Sequence, residues 1–285
     1  MPVIGDIYNA LFFAPVVNLI VFVIRLLETA HIPGALGFSI ILLTIGIRAL
    51  IWPLMSTQMR SAKKMADLRP HLEELKKKHG SDKQAMAAAQ MALYKEHGIN
   101  PAAGCLPVLI QIPPMIAIYQ VIFAFFEGDA GLTKINNVLY NSSWKLVSIP
   151  DLNFFGLNLA IKPSDFQTVG ALVLFVPVVT GLLQLVQAKM MAPKAVKPYP
   201  SDSPKEKKEK ESTEDTMVAV QSQMTYLMPV MIGYVAFTFP MGLALYWNTL
   251  TLIGIWQQHR ISGWGGLIDL MQKLKTQNSK LKSTS

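Results

Sequence analysis

Apolar residues along this chain gather into long runs, separated by shorter polar and charged stretches. Five runs are long enough to cross a bilayer, which takes about 20 apolar residues per helix. They cover residues 36–55, 104–126, 166–190, 219–239 and 241–259. A sixth stretch, 8–30 (YNALFFAPVVNLIVFVIRLLETA), is interrupted by Pro15, Asn18, Arg25 and Glu28. Those interruptions favour an amphipathic helix lying in the membrane interface over a full span. Between the first two runs, Met59, Met65, Leu68, Leu72 and Leu75 recur with helical spacing, and Gly80-Ser81-Asp82 breaks the pattern. Asp82 can cap a second helix carrying Met86, Ala89, Leu93 and Tyr94, which Gly98 ends. Two helices joined by so short a turn predict an antiparallel hairpin.

The pattern therefore predicts an all-α membrane protein, a bundle of five transmembrane helices. An interfacial helix lies within residues 1–34, the first core helix spans 35–56, a helical hairpin occupies 57–103, and four core helices fill 104–260. Residues 193–217 (PKAVKPYPSDSPKEKKEKESTEDTM) lack apolar periodicity and read as a disordered linker. Residues 261–285 form a basic tail.

Composition agrees with the pattern. Only 15% of the 285 residues are charged, against about a quarter in soluble domains. The formal charge of +8 would suggest nucleic acid, but its placement argues otherwise. Lysine and arginine crowd 56–103, 191–218 and the tail, whereas in 127–165 Lys134, Lys145 and Lys162 are balanced by Glu127, Asp129, Asp151 and Asp165. The excess of positive charge on cytoplasmic loops puts the first three inside and 127–165 outside. The N-terminus is then outside and the C-terminus cytoplasmic. Topology accounts for the charge, so no DNA partner is expected. The basic hairpin and tail suit a solvated face, anionic lipid or the ribosome. The start of the chain shows neither a cleavable signal nor a lipidation motif. The lone cysteine, Cys105, sits in apolar surroundings and reads as structural.

Arg48 stands inside the run LLTIGIRALIWPL, where a charge at bilayer depth costs from about 3 to more than 10 kcal/mol. It lies six residues, about 9 Å, from the cytoplasmic end of its helix, so snorkelling to the headgroups competes with a wet cavity. Thr44 is polar one turn back on the same face. Gln111, Gln184, Gln187, Gln221 and Gln223 all fall in the cytoplasmic leaflet, while the outer halves (VIFAFF, VGALVLF, IGYVAF) are nearly bare. A shared depth favours a groove open to the inside, although each glutamine serves equally well as glue between helices. No aspartate or glutamate lies within the five runs, and their single histidine, His259, is the last residue of the fifth. Proton relays need a carboxylate and enzymes a nucleophile, base or metal set, so no catalysis, metal or cofactor is expected.

Three segments carry a family resemblance. NPAAGCLPVLIQIPPMIAIYQ (residues 100–120), IRALIWPL, and FPMGLALYWNTLTLIGIWQQH (residues 239–259) resemble the signatures of the YidC/Oxa/Alb membrane insertases, in its short bacterial form. The resemblance implies five core helices around a hydrophilic groove, with Arg48 and Thr44 in it. It implies groove positions at Gln184, Gln187, Tyr246 and Trp247, and an apolar slide for the exiting substrate helix at Met115. It implies nascent membrane proteins as substrates, the lipid bilayer of the bacterial plasma membrane as their destination, and the ribosome and the Sec translocon as partners. The Pro113-Pro114 pair, Met241 and the long linker depart from the family pattern. Two readings remain beside the insertase: an ion-conducting subunit built on one intramembrane arginine, and a non-catalytic assembly scaffold in which Arg48 only snorkels.

Overall fold

Pro15 does not break the N-terminal helix, because the chain absorbs it. Helix α1 (Pro2–Tyr8) runs through a single π turn (Asn9–Phe13) into α2 (Ala14–Thr29), with helical dihedrals at both joins. Proline has no N–H for the ordinary i−4 bond, and a π turn reroutes the ladder around that gap. The computed structural model describes residues 2–79, 82–99, 106–191 and 213–268. It divides into two compact units, the first comprising Met1–Pro53, Cys105–Leu183 and Met231–Ile253, the second Leu54–Gly104, Gln184–Val230 and Gly254–Ser285.

In the first unit α2 buries Val16, Val17, Ile20, Val21 and Ile24 and exposes Leu19, Phe22 and Leu26. Its polar residues are connectors. Asn18, 4% exposed, donates through Nδ2 to the Ala14 and Val138 carbonyls at 2.8 Å each and accepts from the Tyr140 amide at 2.7 Å. Arg25 donates to the Lys145 carbonyl, Tyr8 donates to Gln120 Oε1 at 3.0 Å, and Phe22 meets Trp144 at 5.5 Å.

Helix α3 (Ala35–Leu50) starts behind Gly34, whose φ is +74°, and buries Leu36, Ser39, Ile40, Leu43, Thr44 and Arg48. It ends at Ile51, and α4 (Trp52–Asp67) begins directly after it. Pro53 lacks the N–H that would carry one helix through this point. The single helix expected over 35–56 is thus two.

The second unit takes in most of α4, together with α5 (Arg69–His79) and α6 (Lys83–Glu96). Leu68, Tyr94 and Ile99 form a small core there, covered by Met65, Leu72 and Leu93. Asp82 caps α6 as its position suggests, accepting from the Gln84 and Ala85 amides at 2.9 and 3.1 Å. Gly98, at φ +63°, follows its end.

Helix α7 (Leu106–Phe126) contains Pro113 and Pro114 and buries Ala117, Ile118, Val121, Ile122 and Phe125. Gly128 turns the chain into α8 (Asp129–Asn137), which folds back so closely that Gly131 lies against the Ala124 backbone with no room for a β-carbon. Beyond a short helical turn at Ser142–Trp144 comes a two-stranded hairpin, β1 (Asn153–Phe154) and β2 (Leu157–Asn158). The 127–165 loop is therefore an ordered layer. Helix α9 (Phe166–Val169) leads through Gly170 and a further helical turn to α10 (Phe175–Met191). Helix α11 (Thr213–Thr238) covers residues 213–217, so those five belong to a helix and not to the expected linker. The rest of the expected linker, 193–212, lies outside the described residues, as does the tail from 269 onward. Helix α12 (Met241–Ser262) follows a tight break at Pro240.

Large apolar side chains face outward on α2 and α3, Leu19, Phe22, Leu42, Ile45 and Leu50 among them. Lipid tails are as apolar as leucine, so such faces need no cover in a membrane, and the inner faces are held by close packing. By length and apolarity alone, two described helical stretches can cross a membrane, Gly5–Thr29 and Ala171–Met191, and a third arises when α3 and α4 are joined. Among the described side chains, α7 and α11 add shorter apolar stretches, Gln111–Phe126 and Thr225–Thr238. On α12, Asn248, Gln257 and Gln258 lower the apolarity of the run.

Candidate functional site

Arg48 is buried, at 6% exposure, on the face of α3 that also carries Ile40 and Thr44. One turn separates each of these from the next. Thr44 is polar but locally satisfied: its hydroxyl donates to the Ile40 carbonyl at 2.6 Å, as Ser39 does to Ala35. Neither hydroxyl proton is therefore aimed at Arg48.

The guanidinium reaches across to α12, where Nη2 donates to the Leu250 carbonyl at 3.4 Å. A helical carbonyl has a second lone pair to offer beyond its own ladder bond. Tyr246 lies one turn earlier on α12, 1% exposed, and its hydroxyl accepts from Gln111 Nε2 at 3.3 Å. Three helices, α3, α7 and α12, thus bring a cation, an amide and a phenol together in the first unit. Gln111 Oε1 and Asn248 Oδ1 are buried with no hydrogen-bond partner among the described residues. An acceptor left in that state costs about 1–3 kcal/mol. Both are suited to donors that come and go, such as water or the amides of a passing chain.

The residues named from sequence separate on this geometry. Arg48 and Thr44 are buried on one face of α3, and Tyr246 is buried on α12 one turn from Leu250, the partner of Arg48. Met115, half-buried against the same core, lies one turn from Gln111 on α7. Trp247 faces elsewhere, into a small apolar cavity with Thr180, Ile232, Phe239 and Leu243. One residue along a helix is a turn of about 100°, enough to send neighbours to different partners. Gln184 and Gln187 are half-buried on α10 in the second unit. Gln221 lies among the residues whose side chains are not described, and Gln223 is exposed. Gln111 was visible as a polar residue at depth, but not as the partner of Tyr246. Asn248 was missed, and its only signal was an amide within an otherwise apolar run.

Residues 28–264 match the family model described as the 60Kd inner membrane protein. The chain belongs to that family. It is the YidC/Oxa family that the three sequence segments resemble, and membership makes this a membrane protein. Two similar relatives bear the name "Membrane protein insertase YidC". One, from Rickettsia felis, is 31% identical over 233 residues, covering 80% of this chain and 36% of the relative. The other, from Agrobacterium fabrum, is 33% identical over 247 residues, covering 85% of this chain and 36% of the relative. The chain thus spans about a third of the length of these relatives.

Proposed function

We propose that this chain is a membrane protein insertase. It moves short extracytoplasmic parts of nascent membrane proteins from cytoplasm to bilayer, past a polar site centred on Arg48. The observation that carries the reading is a buried arginine reaching α12 one turn from Tyr246, whose partner Gln111 keeps a buried, unsatisfied amide oxygen, in a membrane protein. Arg48 attracts an acidic or polar segment. Gln111 accepts from its backbone and side-chain donors, so the segment exchanges water for protein hydrogen bonds instead of losing them to hydrocarbon. Met115, one turn beyond Gln111 on α7, is where the substrate helix slides into lipid. Burial of that helix supplies the driving force at roughly 25 cal/mol per Å² of apolar surface. No covalent step is involved.

The working topology has five core spans and a cytoplasmic hairpin over 57–103, with 127–165 outside and the C-terminus inside, supported by the lysine and arginine distribution. The N-terminal helix lies along the outer interface. Tyr8 and Arg25 are 17 residues apart, about 26 Å along a helix, yet their partners are Gln120 and Lys145. Gln120 lies six residues before the end of α7, and Lys145 lies in the 127–165 layer that follows it. The ribosome, reached through the basic hairpin and tail, and the Sec translocon are the proposed partners.

The experiment is a charge series. Single-span substrates with short tails bearing none, one, two or four acidic residues are offered to the full chain in vesicles. Tails with up to one or two charges are expected to cross, and longer, heavily charged tails to stall. Equal passage of every tail would sink the proposal, because a single cation and one amide cannot solvate many charges.

A further inference from the structure

The β1–β2 hairpin turns on Phe155 and Gly156, with Asn153 paired to Asn158 and Phe154 to Leu157. Both turn residues have positive φ, +50° and +81°. Such turns favour Asn-Gly or Asp-Gly, and a bulky side chain in left-handed backbone costs about 1–2 kcal/mol. Phe155 is also 83% exposed, so the ring recovers little of that cost from burial within the chain. A strained, exposed aromatic at a hairpin tip has two penalties where asparagine would have neither.

The hairpin is held at a defined place. Phe154 packs into a hollow at the start of α3, where Gly34 and Gly37 leave room for its ring: a β-carbon at Gly37 would overlap it. Phe38 meets the Phe154 and Phe155 rings at 5.1 and 6.0 Å, both edge-on. On the other side, the chain just after β2 caps α12. The Met241 and Gly242 amides donate to the Ile161 and Leu159 carbonyls at 2.9 and 2.8 Å. These are first-turn amides that the helix itself leaves unsatisfied. The tip therefore sits level with the first turn of α3, about 5 Å past its start, at the common end of two core helices. That is the height of the membrane boundary, where aromatic rings are favoured.

We infer that Phe155 is a lipid anchor, its ring embedded in the interfacial layer of the bilayer around the starts of α3 and α12. Lipid removes the exposure penalty, and the clamps at Gly37 and Met241 transmit the anchorage to the helices that carry Arg48 and Tyr246. The inference needs only that α3 and α12 are membrane helices. It is independent of any insertase activity.

The test uses the full chain with Cys105→Ser, in vesicles of phosphatidylcholine and phosphatidylglycerol. A nitroxide is attached to a cysteine introduced by Phe155→Cys, or by Lys145→Cys for comparison. Oxygen collides more often with labels in lipid, and a water-soluble nickel complex with labels in solvent. The ratio of oxygen to nickel accessibility is expected to be several-fold higher at position 155 than at position 145. Because the label differs in shape from phenylalanine, Phe155→Trp supplies a second reading. In vesicles of brominated lipid, the extra emission over the parent chain is expected to be quenched and shifted to shorter wavelength. Equal nickel accessibility at the two positions overturns the anchor, and so does added emission untouched by the bromines.

Discussion

Replacing Arg48 with alanine is expected to reduce insertion of a short-tailed, single-span substrate by about tenfold, while Arg48→Lys keeps a larger share. Tenfold corresponds to about 1.4 kcal/mol, at the low end of the value of a hydrogen bond to a charged group, about 1.5–3 kcal/mol. The cation is placed to act, because its guanidinium is buried on α3 and turned toward the Leu250 carbonyl of α12. Lysine preserves the charge but loses the planar fork of donors. The two variants separate the readings that sequence leaves open. A snorkelling anchor predicts near-equal behaviour of lysine, alanine and parent. An ion-conducting subunit predicts a proton leak in the parent that disappears with Arg48→Ala, measured in the same vesicles with a pH-sensitive dye.

Asn18→Leu is expected to destabilise the first unit by about 2–4 kcal/mol. The substitution strands the Val138 carbonyl and the Tyr140 amide, both now bonded to one buried side chain. Each buried group left without a partner costs about 1–3 kcal/mol. The check is a thermal melt in detergent, together with hydrogen exchange at the Tyr140 amide. That amide should exchange far faster while the Asp82-capped turn of α6 is unaffected. Unchanged exchange at Tyr140 would mean that Asn18 does not hold the N-terminal helix to the following layer.

The parts of this molecule that could be read from sequence are those set by neighbours along the chain. Asp82 capping α6 and Gly98 following it depend on local backbone chemistry alone. The burial of Arg48 on one face with Thr44 depends on helical period alone. Elsewhere the deciding partner is remote. Pro15 was read as an interruption, but a π turn absorbs it. Pro53 was placed inside a continuous helix that in fact stops at Ile51. The β1–β2 hairpin was invisible because its turn is Phe-Gly, not Asn-Gly. Only the clamps at Gly37 and Met241 make that turn tolerable. Tyr246 and Trp247 are adjacent and were grouped together, yet one meets Gln111 and the other a separate apolar cavity. The choice between them depends on how α12 rotates against α7, which no periodicity in α12 specifies.

The central claim is that a nascent chain passes the cluster of Arg48, Gln111 and Tyr246 on its way to lipid. The most direct measurement places a photoreactive amino acid at Met115, and separately at the outward-facing Leu26, in the full chain in vesicles. A single-span substrate is then stalled part-way through insertion and illuminated. Crosslinks to the substrate at position 115, with none at position 26, are predicted. Insertion that proceeds while position 115 captures only lipid, or no more substrate than position 26, would contradict the account.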